Sequence, residues 1–169
     1  DTVRRDTCHD WVAEHLDPVL QALPPDARSF HGQDFGRNGD LSVHVPLVQM
    51  KNLVRRIPFV LELRNVPFRQ QEQITFHLLD NLPSSAFDAR GNGQALSEYA
   101  MQRYGTSRIQ QVMLSESWYR ENMPSLKAAL EDGMLAGLPK DDDILADFRL
   151  AKVIRGVPRI PDIRSTGED

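Results

Sequence analysis

The 169-residue chain has a single cysteine, Cys8, and that scarcity closes off two architectures at once. No internal disulfide framework can form, and no cysteine-rich zinc cluster. A lone thiol suits a reducing cytoplasm, and Cys8 has no accompanying His and Asn pattern that would mark it as a nucleophile. Long apolar runs are also missing. Nothing approaches the ~18–20 residues that span a bilayer, and the opening DTVRRDTCHD lacks the apolar stretch of a signal peptide, so no membrane association is expected. Basic surplus is absent too: 20 Lys and Arg stand against 24 Asp and Glu, a net charge of −4. Nucleic-acid binding is usually advertised by the opposite balance, except where metal-binding carboxylates sit at the place that meets the phosphates. There is no G-x-x-x-x-G-K-[ST] loop, which excludes a P-loop ATPase within this chain, and no HExxH or HxxxH spacing among His9, His15, His31, His44 and His77. No serine lies in a nucleophile elbow. With 40% hydrophobic and 26% charged residues, what is present is one globular domain with a real core. The start on Asp1 and the stop at RSTGED suggest a piece of something longer.

Periodicity sets the order of elements. Val12, Leu16, Val19, Leu20 and Leu23 share a helical face, with Asp17 and Pro18 suited to restarting the helix midway. After Pro24 and Pro25, SFHGQDF reads as a strand ending at Asp34 before the Gly36 to Gly39 turn. Leu41, Val43, Val45 and Leu47 alternate with Ser42, His44 and Pro46, the period of a half-buried strand. FVLELR alternates again beyond the polar turn QMKN, which makes three successive strands an antiparallel meander. FRQQEQITFHLLDNL is helical, SAFDA a strand, GQALSEYAMQRYG a helix closed by Gly105, and RIQQVML another strand. Residues 116–133 read as a helix interrupted near Pro124 and stopped by Gly133. LPKDDDILADFRLAKV reads as a capped helix or a helix and strand, and GVPRIPDIRSTGED as irregular. This is the order of the ribonuclease H-like fold: an α/β architecture with a mixed five-stranded sheet, three antiparallel strands then two parallel, flanked by helices. Residues 1–27 form a helical lead-in or linker, and residues 28–169 the domain proper.

In that fold the first and fourth strands are neighbours, so Asp34 and Asp88 end beside each other at one edge. Two carboxylates held close repel, and a hard divalent cation relieves the repulsion through oxygen ligands. Two-metal phosphodiester hydrolysis uses such a cluster. The competing reading makes each Asp a turn cap ahead of a glycine. Further candidate acids are Asp40, Glu62, Glu98 and the Asp141–Asp143 run, the last better suited to a helix N-terminus. Arg90, beside the ARGNG glycines, and Arg37 are candidate DNA phosphate contacts, with Arg55, Arg56, Arg64 and Arg69 in reserve. Trp118 and Tyr119 read as packing residues.

The stretches GQDFGRNGDLSV, ELRNVPFRQQEQI, FDARGNGQALSEYAMQRYG and VMLSESWYRENMPSLKAALEDG, followed by DDDILADFR, resemble the nuclease domain of the phage large terminase subunit, Mu-like type. The resemblance runs over about residues 28–165, and DARGNG is its most specific block. It implies that Asp34 and Asp88 are the first and second metal-binding aspartates of an endonuclease that cuts double-stranded viral DNA for packaging, with two Mg²⁺ or Mn²⁺ ions when the site is complete. It also implies a separate ATPase domain, a small terminase subunit and a portal as partners, in the cytoplasm of an infected or lysogenic host. The family's third acid lies in a His-Gly-Asp run that this chain does not contain; Asp162, Glu168 and Asp169 carry no spacing that would replace it. A structure-selective, junction-resolving nuclease and a noncatalytic docking module are the alternatives.

Overall fold

The segment with the cleanest alternation, Leu41–Gln49, is a nine-residue strand, and the sheet is built on it. The computed structural model describes residues 8–36 and 41–160. A π-wound turn, Val12–Leu16, runs into α1 (Asp17–Gln21). There follow β1 (Arg28–Asp34), β2 (Leu41–Gln49), β3 (Arg55–Arg56), β4 (Leu61–Arg64), α2 (Phe68–Asn81), β5 (Ser85–Asp88), α3 (Gly93–Tyr104) and β6 (Ile109–Val112). The chain continues through α4 (Glu116–Glu131), β7 (Leu135–Ala136), α5 (Asp142–Leu150) and a hairpin of β8 (Lys152–Ile154) and β9 (Val157–Arg159). The main sheet runs β6-β5-β1-β2-β3-β7, with β4 pairing the other end of β2. β1, β2 and β4 are antiparallel, and β5 and β6 add in parallel beside β1. This is the ribonuclease H-like order. The sheet has seven strands among the described residues rather than five, because the two-residue β3 and β7 pair with each other in parallel at its far edge. Strands that short carry no period for a sequence to display.

The side of β2 that is sealed is the polar one. Ser42, His44, Pro46 and Val48 are buried on one face of β2, whereas Leu41, Val43, Val45 and Leu47 are only half-buried on the opposite face. Several of the buried polar atoms satisfy one another, while Gln33 Oε1 and His44 Nε2 are buried without a hydrogen-bond partner. Ser85 Oγ lies 2.6 Å from His31 Nδ1, and His31 Nε2 lies 3.0 Å from His44 Nδ1, so one chain of contacts crosses β5, β1 and β2. Ser42 donates to Gln71 Oε1 at 2.5 Å and receives the Gly36 N–H at 2.9 Å, which ties β2 to α2. Around this polar seam, Leu79, Phe87, Ala100 and Ile109 form one apolar cluster. Leu63, Ile74, Leu78 and Leu82 form another with Cys8, Val12, Leu16 and Leu20 of the N-terminal helix, so the lead-in segment shares a core with α2 and β4.

Two neutral histidines sealed in that seam make acid costly. Burial pushes His31 down to about 4, and burial together with the adjacent His31 ring pushes His44 well below the ordinary range. Both pKa values are depressed relative to the unfolded chain. Between the ordinary value of 6.5 and about 4 the unfolded chain binds more protons, and stability present above pH 6.5 is lost as pH falls through that window. The expected loss from His31 alone is about 3 kcal/mol by pH 4. Urea unfolding at pH 7, 5.5 and 4.5 measures it, and His31→Gln should flatten the slope between pH 6.5 and 5, where carboxylates stay ionised. An equally steep slope in that variant would contradict the assignment.

Two local expectations are corrected. α4 is not interrupted at Pro124: the helix runs unbroken from Glu116 to Glu131. The carbonyl that loses its partner there belongs to Arg120, on the exposed side where water can bond it, so the missing N–H is tolerated. Gly133, at φ 64°, ends the helix by a Schellman turn in which Met134 N–H reaches Ala129 O and Gly133 N–H reaches Leu130 O. The segment expected to be irregular contains β9, whose Val157 is buried and which packs on α4. Asp141 caps α5 by accepting from Asp143 N–H and Ile144 N–H, so the acidic run serves a helix start.

Candidate metal centre

Parallel pairing of β1 with β5 aligns His31 with Ser85, Gly32 with Ala86 and Gln33 with Phe87. One step further along both strands sets Asp34 beside Asp88, about 5 Å apart along the backbone at ordinary strand spacing. The alternation that turns His31, Gln33, Ser85 and Phe87 into the core turns both aspartates to the other face. There they line one open cleft of ≈ 430 Å³ with Arg90, Trp118, Tyr119 and Ile160. Asp34 is exposed, and Asp88 retains 18% of its side-chain surface.

Asp88 also performs the turn role that competes with catalysis. Its Oδ1 accepts the Arg90 backbone N–H at 3.0 Å, closing the turn. The Arg90 guanidinium reaches back to both carboxylate oxygens, Nε to Oδ1 at 3.3 Å and Nη2 to Oδ2 at 3.4 Å, while Nη1 donates to Leu114 O at 3.4 Å. Gly93 opens α3 against the same residue: a Cβ there would stand 2.3 Å from the Asp88 carbonyl oxygen and 3.5 Å from Phe35 Cβ. The glycine is required for close approach, since its φ is ordinary.

Register also places Glu62 in the row. Asp34 pairs with Val43, and Val43 with Glu62, so Asp88, Asp34, Val43 and Glu62 succeed one another across four strands on one face. Asp34 and Glu62 both line a second, wider groove of ≈ 730 Å³, floored by Leu41, Val43, Val45 and Leu47. Two strand spacings, about 10 Å, separate Asp34 from Glu62 along the sheet, and Glu62 does not gather with Asp34 and Asp88 into a three-acid cage. Asp141, Asp143 and Asp147 on the α5 side make that groove acidic, against Arg55 and Arg64, which disfavours a phosphate backbone along it.

The other candidates fall elsewhere. Glu98 accepts from Gln94 on its own helix, Arg69 pairs with Glu72, and Arg56 is exposed beside the β2–β3 hairpin. Arg37, Asp40, Asp162, Glu168 and Asp169 lie outside the described residues. Among the described residues no three His, Cys, Asp or Glu side chains gather as a metal cage, and no helix is long and apolar enough to cross a membrane. The donor set at the cleft is therefore two carboxylates. That suits a hard cation of the magnesium type, which keeps several waters and needs only one or two protein carboxylates. Neither the Arg90 clamp nor Trp118 as a cleft wall is expected from sequence; the helical spacing of Trp118 and Tyr119 says only that one of them packs inward.

No family model matches the chain. Two curated relatives do. The Mu-like prophage FluMu protein gp28 of Haemophilus influenzae is 46% identical over 159 residues, which cover 92% of this chain and 31% of that protein. The probable terminase, large subunit gp28, of Escherichia phage Mu is 39% identical over 169 residues, covering 98% of this chain and 30% of that protein. The chain thus spans about a third of the length of the relatives it matches. Among solved structures, the large terminase nuclease from thermophilic phage G20c with bound magnesium superposes with a TM-score of 0.62 at 24% identity, covering 83% of this chain and 75% of that one.

Proposed function

We propose that this chain, part of a large terminase subunit of the Mu-like type and folded like the large terminase nuclease of phage G20c, is a metal-dependent endodeoxyribonuclease that cuts double-stranded DNA for packaging. The observation that carries this reading is the register that brings Asp34 and Asp88 together on the open face of the sheet. The G20c domain of the same fold was solved with magnesium, in keeping with a divalent cation here.

Asp34 and Asp88 would hold Mg²⁺ or Mn²⁺, and in the two-ion form a further oxygen ligand joins them from elsewhere in the protein. When bound, such an ion supplies charge neutralisation at the phosphate and activation of water. The protein's own part is placement. Both carboxylates stand on adjacent strands of a packed sheet, tied beneath by the Ser85–His31–His44 contacts, so their separation is set before substrate arrives. Arg90, at the rim and 44% exposed, is positioned to meet a phosphate oxygen. Neither carboxylate reads a base edge, so cutting should depend weakly on sequence. The ATPase domain, the small terminase subunit and the portal are the partners this reading proposes.

Supercoiled plasmid incubated with the chain, and with the full large-terminase polypeptide, tests it. Nicking and linearisation are expected in Mg²⁺ or Mn²⁺, with complete loss in excess EDTA. Plasmid left intact by both proteins in every metal would favour the docking-module alternative, and preferential cutting of branched over linear duplex would favour a junction-resolving enzyme.

A further inference from the structure

The fork that Arg90 lays on Asp88 engages both oxygens that a metal would need, and it deepens the reading above, on which it rests. We propose that Arg90 is an internal counter-cation: it neutralises Asp88 while the site is metal-free, is displaced from the carboxylate when a divalent cation enters, and is thereby turned toward the DNA phosphate.

Three features support the exchange. Asp88 is mostly withdrawn from water, with 18% of its side chain exposed, and a carboxylate so placed needs a compensating charge. Arg90 supplies that charge from the solvent side, at 44% exposed, so it can leave without disturbing the core. Its side-chain contacts are long, 3.3 and 3.4 Å, whereas the backbone N–H to Oδ1 is 3.0 Å. The turn is thus held by the main chain, and the guanidinium is the part that can swing. The contact to Leu114 O tethers the same side chain to the cleft wall carrying Trp118, so its travel stays within the cleft that holds Asp34. Metal and guanidinium compete for one carboxylate, and each cation also repels the other. Both effects make loading harder with Arg90 present.

The test is calorimetric titration of MnCl₂ into the wild-type chain and into Arg90→Gln, Arg90→Lys and Asp88→Asn, with circular dichroism confirming that each is folded. Arg90→Gln should bind Mn²⁺ about fivefold more tightly, the equivalent of one partly exposed ion pair, and Arg90→Lys should fall between it and wild type. With Ca²⁺ in place of Mn²⁺ to hold DNA uncut, the Gln variant should bind a short duplex more weakly, and the slope of log affinity against log salt should drop by about 1. Unchanged or weaker Mn²⁺ binding in folded Arg90→Gln, where wild type binds Mn²⁺ and Asp88→Asn does not, overturns the exchange and leaves Arg90 a turn staple. Absence of any Mn²⁺ uptake that Asp88→Asn removes overturns the metal reading itself, and the exchange with it.

Discussion

Asp88→Ala is expected to lower metal-dependent cleavage by about a thousandfold while the domain stays folded. Asp88 supplies one of the two carboxylates in the cleft, and no third acid among the described residues stands ready to replace it. The structural cost should be small, because what is lost is one turn contact and a partly exposed ion pair. The discriminating variant is Asp88→Asn. An asparagine can still accept the Arg90 backbone N–H and close the turn, but it carries no charge to offer a cation. If Asp88 is a ligand, Asn should be nearly as inactive as Ala. If Asp88 only caps the turn, Asn should cleave like wild type. Asp34→Ala should match Asp88→Ala in activity with a small effect on stability, since Asp34 is exposed at its strand end. Plasmid cleavage read beside thermal unfolding separates the two aspartates' chemistry from their structural roles.

Gly93→Ala should be the glycine substitution that most disturbs the cleft. The added methyl would stand 2.3 Å from the Asp88 carbonyl oxygen, and that neighbour is main chain, so either α3 or the end of β5 must move. The expected cost is about 3 kcal/mol in stability. Displacing Asp88 by even an ångström should also lower cleavage by about a hundredfold in the protein that remains folded. Gly91 is the control. It sits at φ 54°, and a methyl added there would meet nothing within 4 Å, so Gly91→Ala incurs only backbone strain of about 1 kcal/mol, and activity should survive. Chemical denaturation and plasmid cleavage on the two variants make the comparison. Equal, mild effects at both glycines would mean that the α3 start does not control Asp88.

The parts of this architecture readable from sequence are those with a period or a punctuated end. β1, β2, β4, β5 and β6 each announce themselves by alternation or by flanking turns, and their order already implies that Asp34 and Asp88 end on neighbouring strands. What alternation cannot say is which side of a strand is sealed. Leu41, Val43, Val45 and Leu47 look like the core face of β2, yet the fold buries Ser42 and His44 instead, because their partners arrive from distant segments: Gln71 from α2, His31 from β1 and, through it, Ser85 from β5. Contacts between residues 13 to 54 positions apart leave no local trace. The same holds for Arg90. Its two-residue separation from Asp88 is visible, but the reach to Leu114 that aims it into the cleft depends on β6 lying beside β5. Pro124 shows the reverse limit: a strong local breaker signal is overridden where the carbonyl it orphans can be hydrated.

The most direct test of the central claim is anomalous diffraction from a crystal of this chain soaked in manganese. A peak within about 2.1 Å of carboxylate oxygens from both Asp34 and Asp88 is the predicted result. A well-ordered cleft with both carboxylates in place and no manganese between them would contradict it.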